Sequence, residues 1–381
     1  MGQQERRRRG CPQPSLLLDC AGMSKLLLIT ARPAGPPRSG RARLSQLHRK
    51  CLEAIAGDDL LVHELDPLPL PGRRSPLNVA SGSIDGVSRA AERTIVARIV
   101  SDGVGRVLLD GSNLGRLART IKRAAPGVEL FCFCHNVEAR YYWGALKARK
   151  SALALGVLIA NFVAERMAVR FSDRLLALSP RDSEGLRRLY GRPATDLLPM
   201  AMEDQLPPDW RERRPGREGD YVLFVGDGAY ANRNGMAWYV DEVAPGSPLA
   251  TCIVGRGYEG LERPRVALAG SVDDLADRYL GAKAAVAPLF DGSGMKTKVA
   301  EALMFGKRIL GTSEAFSGYE AVAGQAGWRC DTAAEFLAAL RELETMSLPR
   351  LDPALRALYE THYSYQAALA RLRTILDRPV S

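Results

Sequence analysis

Between Val286 and Gly306 the chain reads Val-Ala-Pro-Leu-Phe-Asp-Gly-Ser-Gly-Met-Lys-Thr-Lys-Val-Ala-Glu-Ala-Leu-Met-Phe-Gly, an apolar strand that ends in a glycine turn and opens a helix. Gly292 and Gly294 let backbone N–H groups converge, and the helix N-terminus adds positive potential, so an anion is invited there. Lys298 could reach back to neutralise a diphosphate. Glu301, about two turns into the helix, carries a carboxylate able to accept two hydrogen bonds from the cis hydroxyls of a ribose. A plain strand–turn–helix whose glycines only shape the turn would look the same locally. His135 is a second candidate: it follows a strand, and the chain has only four histidines, so a side chain aimed at a cleft is weighed against one satisfied by core neighbours.

Such residues need a scaffold. Short apolar runs at Leu26–Thr30, Leu61–Leu65, Arg106–Asp110, Glu129–Cys134, Leu175–Ser179 and Thr195–Pro199 predict strands. Helical patterns separate them, as in Leu44, Leu47, Cys51 and Ile55 on one face. After a charged, proline-rich break the alternation restarts with Tyr221–Gly226, Thr251–Val254, Val266–Leu268, Ala284–Pro288, Arg308–Thr312 and Trp328–Cys330. The best helices are Met295–Phe305 and Thr332–Leu343, and a last helical stretch runs Pro353–Leu376. Strand–helix alternation over 381 residues predicts an α/β chain with two Rossmann-like domains facing across a cleft. The expected division is 23–202, a linker at 203–219, 220–350, and a C-terminal helix within 351–381 that crosses back to the first domain.

Composition narrows the class. Net charge is +10, but Met23–Met200 holds 28 Lys/Arg against 16 Asp/Glu, whereas Ala201–Ser381 holds 21 against 25. A basic first half beside an acidic second half argues against a chain that coats nucleic acid. It suits a first half facing an anionic membrane surface or a phosphorylated acceptor, or merely a solvated Arg-rich face. Seven scattered cysteines, with Cys132 and Cys134 alternate on one strand, predict reduced core thiols in a cytosolic protein. Arg6–Arg9 and Ser15–Leu18 imitate a signal peptide, but the apolar run falls short of the ~7–15 residues required. Residues 1–22 are therefore expected to be a disordered extension. Ala152–Ala164, shorter than the ~20 residues that span a bilayer, predicts a buried helix.

The glycine-turn segment resembles the donor site of family 4 glycosyltransferases, in the bacterial polysaccharide and capsule branch, with its Pro-Leu…Gly-Ser-Gly…Lys…Glu-Ala-Leu pattern. The resemblance extends over Gly306–Thr312, Phe224-Val225-Gly226, Ile253–Gly257, Ala269–Asp274, Asp110–Gly115 and His135–Glu138, in order from about Lys25 to Leu343. It implies a GT-B fold, an acceptor domain followed by a donor domain, and transfer of a sugar from a nucleoside diphosphate to an acceptor hydroxyl with retention. Carried over residue by residue, it puts Glu301 on the nucleotide ribose, while Ser293 stands where the family has a sugar-contacting glutamate. It puts the Gly292–Lys296 backbone, Met295 included, around the diphosphate, with Gly226 in the neighbouring loop and Arg233 and Arg256 as candidates for charge neutralisation. Arg38-Ser39-Gly40-Arg41 matches the small-residue loop that approaches the diphosphate from the opposite domain. His135 would meet the donor sugar or the leaving charge, and Asn136 and Glu138 the acceptor, unless Glu138 simply caps the following helix near its N-terminus.

No Asp-x-Asp pair stands at a strand end, so no metal or other cofactor is expected; the nucleotide sugar is itself the donor substrate. The expected acceptor is a glycan or a lipid-linked molecule, and the expected location is the cytoplasm, peripherally on the inner face of the cell membrane. A nucleotide-sugar epimerase, or a non-catalytic nucleotide-sugar binder made plausible by Ser293, are the rival readings. A dinucleotide oxidoreductase fits least, since Ala31–Pro37 is no compact Gly-x-Gly-x-x-Gly turn.

Overall fold

The computed structural model describes residues 25–33, 35, 39–66, 84, 86–213, 220–292 and 294–378. The extension 1–22, part of the linker and Ser293 lie outside them. Among the described residues, twelve strands form two six-stranded, all-parallel sheets. The first contains β1 (Lys25–Ala31), β2 (Leu60–Leu65), β3 (Val104–Leu109), β4 (Glu129–Cys134), β5 (Arg174–Ala177) and β6 (Asp196–Leu197), in the order β2-β1-β3-β4-β5-β6. The second contains β7 (Tyr221–Val225), β8 (Ala250–Val254), β9 (Val266–Gly270), β10 (Ala284–Ala287), β11 (Ile309–Gly311) and β12 (Gly327–Arg329), in the order β12-β11-β10-β7-β8-β9. Each predicted strand is present, because runs buried on both faces of a parallel sheet are apolar throughout. Cys132 and Cys134 are free, buried thiols in the core of the first sheet.

The chain returns to its first half at the end. The predicted single helix is two, Pro353–His362 and Tyr365–Asp377, because Ser364 stops the first and caps the second through the Ala367 N–H (3.2 Å). Buried arginines of the first sheet hold the end of the last helix: Arg106 donates to the Leu376 carbonyl (3.2 Å) and Arg174 to that of Ile375 (3.1 Å). Both satisfy carbonyls that a helix end leaves unpaired. At the crossing, Met202 N–H donates to the Tyr363 carbonyl (2.9 Å) and the Tyr359 hydroxyl to the Met202 carbonyl (2.9 Å).

A second expectation is corrected. The helix predicted as short and buried over Ala152–Ala164 runs 20 residues, Ala152–Phe171. By length and composition it could cross a membrane, and only a third of its apolar window is buried. Glu165 does not end it. That fully buried carboxylate turns inward and accepts from the Glu138 and Ala139 N–H groups (2.9 and 3.1 Å), the Ser112 hydroxyl (3.0 Å) and the Tyr190 hydroxyl (2.7 Å). A buried charge satisfied in this way caps the next-door helix, Glu138–Arg149, which has no side-chain cap of its own.

Candidate active site

In the second sheet the chain leaves β7 in opposite directions, toward β8 and later toward β10, so a crevice opens where their carboxyl ends part. Gly226 ends β7 with φ +152°, and a Cβ there would fall 2.5 Å from Lys298 Nζ. The room a side chain would need is occupied by the Lys298 ammonium. Lys298 is buried, and its Nζ lies 4.8 Å from the centroid of the Phe224 ring, a cation–π contact. Burial pulls its pKa down to about 8, against the opposing pull of Glu301. A desolvated ammonium gains most from an arriving anion, since little hydration remains to be lost.

The glycine turn follows β10. Gly292 (φ +133°) and Gly294 (φ +64°) adopt backbone conformations that L side chains rarely take. A Cβ on Gly294 would sit 2.5 Å from Asn136 Oδ1 and 3.1 Å from the His135 carbonyl oxygen, so the turn is pressed against the first domain. Lys296 Nζ donates to the Gly294 carbonyl (3.0 Å) and to Glu314 (2.9 Å), while the Tyr319 hydroxyl donates to the Lys296 carbonyl (2.7 Å). Burial lowers the Lys296 pKa and Glu314 works against that. Glu314 also pairs with Arg181 (2.8 Å), which belongs to the first domain. Met295 is a core side chain: it is buried, and its sulfur accepts from the Met200 N–H (3.4 Å).

From Lys296–Thr297 the helix Thr297–Met304 runs away from the turn and carries Glu301. The buried Glu301 carboxylate lies 3.4 Å from the Tyr279 hydroxyl and 3.7 Å from an Arg43 nitrogen of the first domain. Arg43 sits in the first turn of Gly40–Ala56, a helix capped by the Ser39 hydroxyl on the Ala42 N–H (3.2 Å). A Cβ on Gly40 would come within 2.9 Å of Thr297 Cγ2. Two helix N-termini, one from each domain, thus meet at the cleft, and their dipoles favour the same anion. Arg41 turns the other way, toward Asn113 Oδ1 (3.2 Å) and the buried Glu138 (3.8 Å).

His135 follows β4, at the carboxyl edge of the first sheet. Its Nε2 is 2.7 Å from Asp110 Oδ1, and the Thr30 hydroxyl donates to Asp110 Oδ2 (2.7 Å). Thr30 and Asp110 stand at the ends of β1 and β3, the place where the first sheet's connections diverge. Burial pushes the Asp110 carboxyl up, but His135 and the hydrogen bonds from Thr30 and Ser45 outweigh it and hold it well below the ordinary range. With Asp110 ionised, Nε2 carries the hydrogen and Nδ1 is left without a partner among the described residues. The ring is buried and stacks edgewise on Phe133 (4.6 Å), so the part of His135 that touches the glycine turn is its carbonyl.

The loops after β7 and β8 interlock: a Cβ on Gly255 would strike the Gly226 carbonyl at 2.1 Å, and Gly228 N–H donates to the Arg256 carbonyl (2.7 Å). Arg233 donates to the Gly257 and Glu259 carbonyls, the latter at 3.1 Å, so its guanidinium braces this loop pair. The Arg256 side chain is exposed at the rim.

The fold therefore gathers Gly40, His135, Asn136, Gly226, Gly292, Gly294, Lys296, Lys298 and Glu301 into one cleft. It directs Arg41, Glu138, Arg233 and Met295 into supporting contacts. Sequence reasoning missed Asp110, Arg43, Arg181, Glu314 and Tyr279. Asp110 had a usable signal in its strand-end position; Tyr279 and Glu314 are brought in by the packing of the second domain itself, and Arg43 and Arg181 only by docking of the two domains.

Comparison with known proteins agrees with this architecture. Residues 219–345 match the family described as glycosyl transferases group 1. Anabaena HepE in complex with UDP superposes with a TM-score of 0.63 at 13% identity, covering 92% of this chain and 99% of that one. The chain has the GT-B fold. The α,α-trehalose 6-phosphate synthase of Burkholderia multivorans (TM-score 0.61, 11% identity, 93% and 96% covered) is similar. So is the lipopolysaccharide outer core galactosyltransferase WaaB without ligand (0.61, 12%, 92% and 98%). No curated protein matches the sequence.

Proposed function

We propose that this protein is a glycosyltransferase that moves a sugar from a nucleoside diphosphate to an acceptor hydroxyl, with retention and without a metal. The observation that carries the reading is the meeting of the helix N-termini at Gly40 and Thr297 beside the buried Lys298 ammonium. Displacement of a nucleoside diphosphate leaves its charge on the diphosphate, and fixed donors with one desolvated cation are suited to take up that charge. Glu301, close to that anion site yet held by Tyr279 and Arg43, would take the ribose hydroxyls. Complexes of the similar Anabaena HepE with UDP and with UDP-glucose support a uridine-based donor.

In the first domain, the chain's Asp110–His135 pair would fix the ring while the 135–136 backbone lines the sugar pocket. Ser293, outside the described residues, removes one carboxylate from sugar recognition and leaves the sugar to be read by backbone groups. The proposed setting is the cytoplasm, with the basic first half resting peripherally on an anionic membrane and a glycan or lipid-linked molecule as acceptor. Isothermal titration with UDP, followed by a sugar-transfer assay with UDP-glucose, tests the reading. Micromolar UDP binding and product only in the presence of an acceptor are expected. Absence of UDP and GDP binding would overturn the nucleotide site, and epimerised donor formed without acceptor would favour an epimerase.

A further inference from the structure

Beside the cleft the first domain leaves an apolar surface that its own fold does not cover. The helices Glu138–Arg149 and Ala152–Phe171 form a hairpin that leaves Tyr141, Trp143, Leu153, Leu155 and Ile159 exposed, with Leu153 67% accessible. Between this hairpin and the helix Pro180–Tyr190 runs a groove of about 820 Å³. Its walls are apolar: Trp143, Leu158, Ile159 and Phe162 on one side and Leu189 on the other. Patches of this kind on a soluble chain mark a ligand or membrane contact.

Two further observations say what fits. Arg140 and Arg188 stand exposed on the groove's rim, and Glu184 is the one acid among the described lining residues. Glu184 already holds Arg187 and Arg188, at 2.6 to 2.7 Å. Val137 and Arg181 also line the groove. Val137 follows the His135–Asn136 backbone that touches Gly294, and Arg181 pairs with Glu314, which holds Lys296. A long molecule in the groove would therefore have its apolar length among Trp143, Ile159 and Leu189, its anionic portion among arginines, and its head at the glycine turn.

We infer that this groove binds the hydrocarbon chain of a lipid-linked, anionic acceptor, and that the hairpin seats in the membrane surface that carries it. The inference rests on the glycosyl-transfer reading and narrows its acceptor to the lipid-linked class. The apolar chain supplies affinity through burial, the arginines select the phosphate linkage, and Arg181 joins lipid capture to the donor loop.

The test uses the full chain and geranylgeranyl monophosphate, a single prenyl chain with one phosphate, followed by the emission of Trp143 and checked with Trp143→Phe. Ile159→Glu and Leu189→Glu alter opposite walls at side chains already 45% exposed, so folding is not threatened; Val100→Glu, also exposed, is the control outside the groove. Wild type and Val100→Glu should bind with a blue shift, and each groove variant should bind about tenfold or more weakly, because a carboxylate replaces apolar wall. Arg188→Gln should weaken the phosphate but not geranylgeraniol. UDP titration is run on every variant and should be unchanged. Equal prenyl phosphate binding by wild type and both groove variants, or no binding by wild type, would overturn the inference. So would wild-type dimers that the two groove variants dissociate, since the groove would then be an interface between copies. So would binding that appears only on deletion of residues 67–83, which lead into Ile84 packed on Ala160 and Ala164. Loss of UDP binding in wild type would instead remove the donor reading and leave the lipid result standing by itself.

Discussion

The two domains offer the cleft cations of different kinds. The second domain presents lysines buried within its own fold: Lys296 and Lys298 have side chains mostly withdrawn from water, with pKa values lowered by burial. The first domain presents the Arg43 guanidinium on the helix Gly40–Ala56, which remains in solvent at 46% side-chain exposure. A buried charge is already stripped of water and aimed, so an incoming anion gains its full attraction; an exposed one is screened and must be ordered. The second domain therefore carries strength and the first adds reach across the cleft.

If that contrast holds, Lys298→Met should be the most damaging change. It keeps the stem against Phe224 and removes the charge, and kcat for sugar transfer should fall about 100-fold, on the order of 2.7 kcal/mol in the transition state. UDP affinity should fall less, and a normal kcat would remove Lys298 from the leaving-group site. Glu301→Ala comes next. Loss of two ribose hydrogen bonds to a charged group should weaken UDP and uridine alike by about tenfold or more, and unchanged titration calorimetry would discard the ribose role.

The lysine's titration sharpens the comparison further. With a pKa of about 8 in the free protein, Lys298 is protonated below that pH, so UDP affinity should be flat from there down to the titration of UDP's own terminal phosphate at pH ~6. Above pH 8 the ammonium is lost and affinity should decline, approaching tenfold per pH unit, with the decline absent in Lys298→Met. The smallest effect is expected from Arg43→Ala, because its contact with Glu301 is long (3.7 Å) and half in solvent. UDP affinity should drop about two- to fivefold at low salt and merge with wild type at high salt. A salt-independent loss larger than that of Lys298→Met would reverse the contrast between the domains.

Local pattern made much of this legible. Each strand announced itself as an apolar run, and the glycine turn with Lys298 and Glu301 lay within one continuous segment, where spacing along a helix fixes which side chains can share a site. Ala152–Phe171 misled, because Glu165 reads as a helix end and its partners are in three other segments: Ser112, the N–H groups of Glu138 and Ala139, and Tyr190. His135 was legible as a candidate but not as the partner of Asp110, since parallel strands bring residues 25 positions apart together only in the sheet.

By itself, then, the sequence determined the alternation of strands and helices, the two-sheet architecture and the glycine turn. These depend on hydrophobic period, on glycines free to adopt positive φ and on helix starts, all set within a few residues. Only the tertiary structure decided that Arg43 reaches Glu301, that Arg181 and Lys296 share Glu314, and that an apolar groove opens beside the cleft. Those follow from how two separately folded sheets dock and which helix faces are left uncovered, and docking depends on surfaces assembled from residues far apart in the chain.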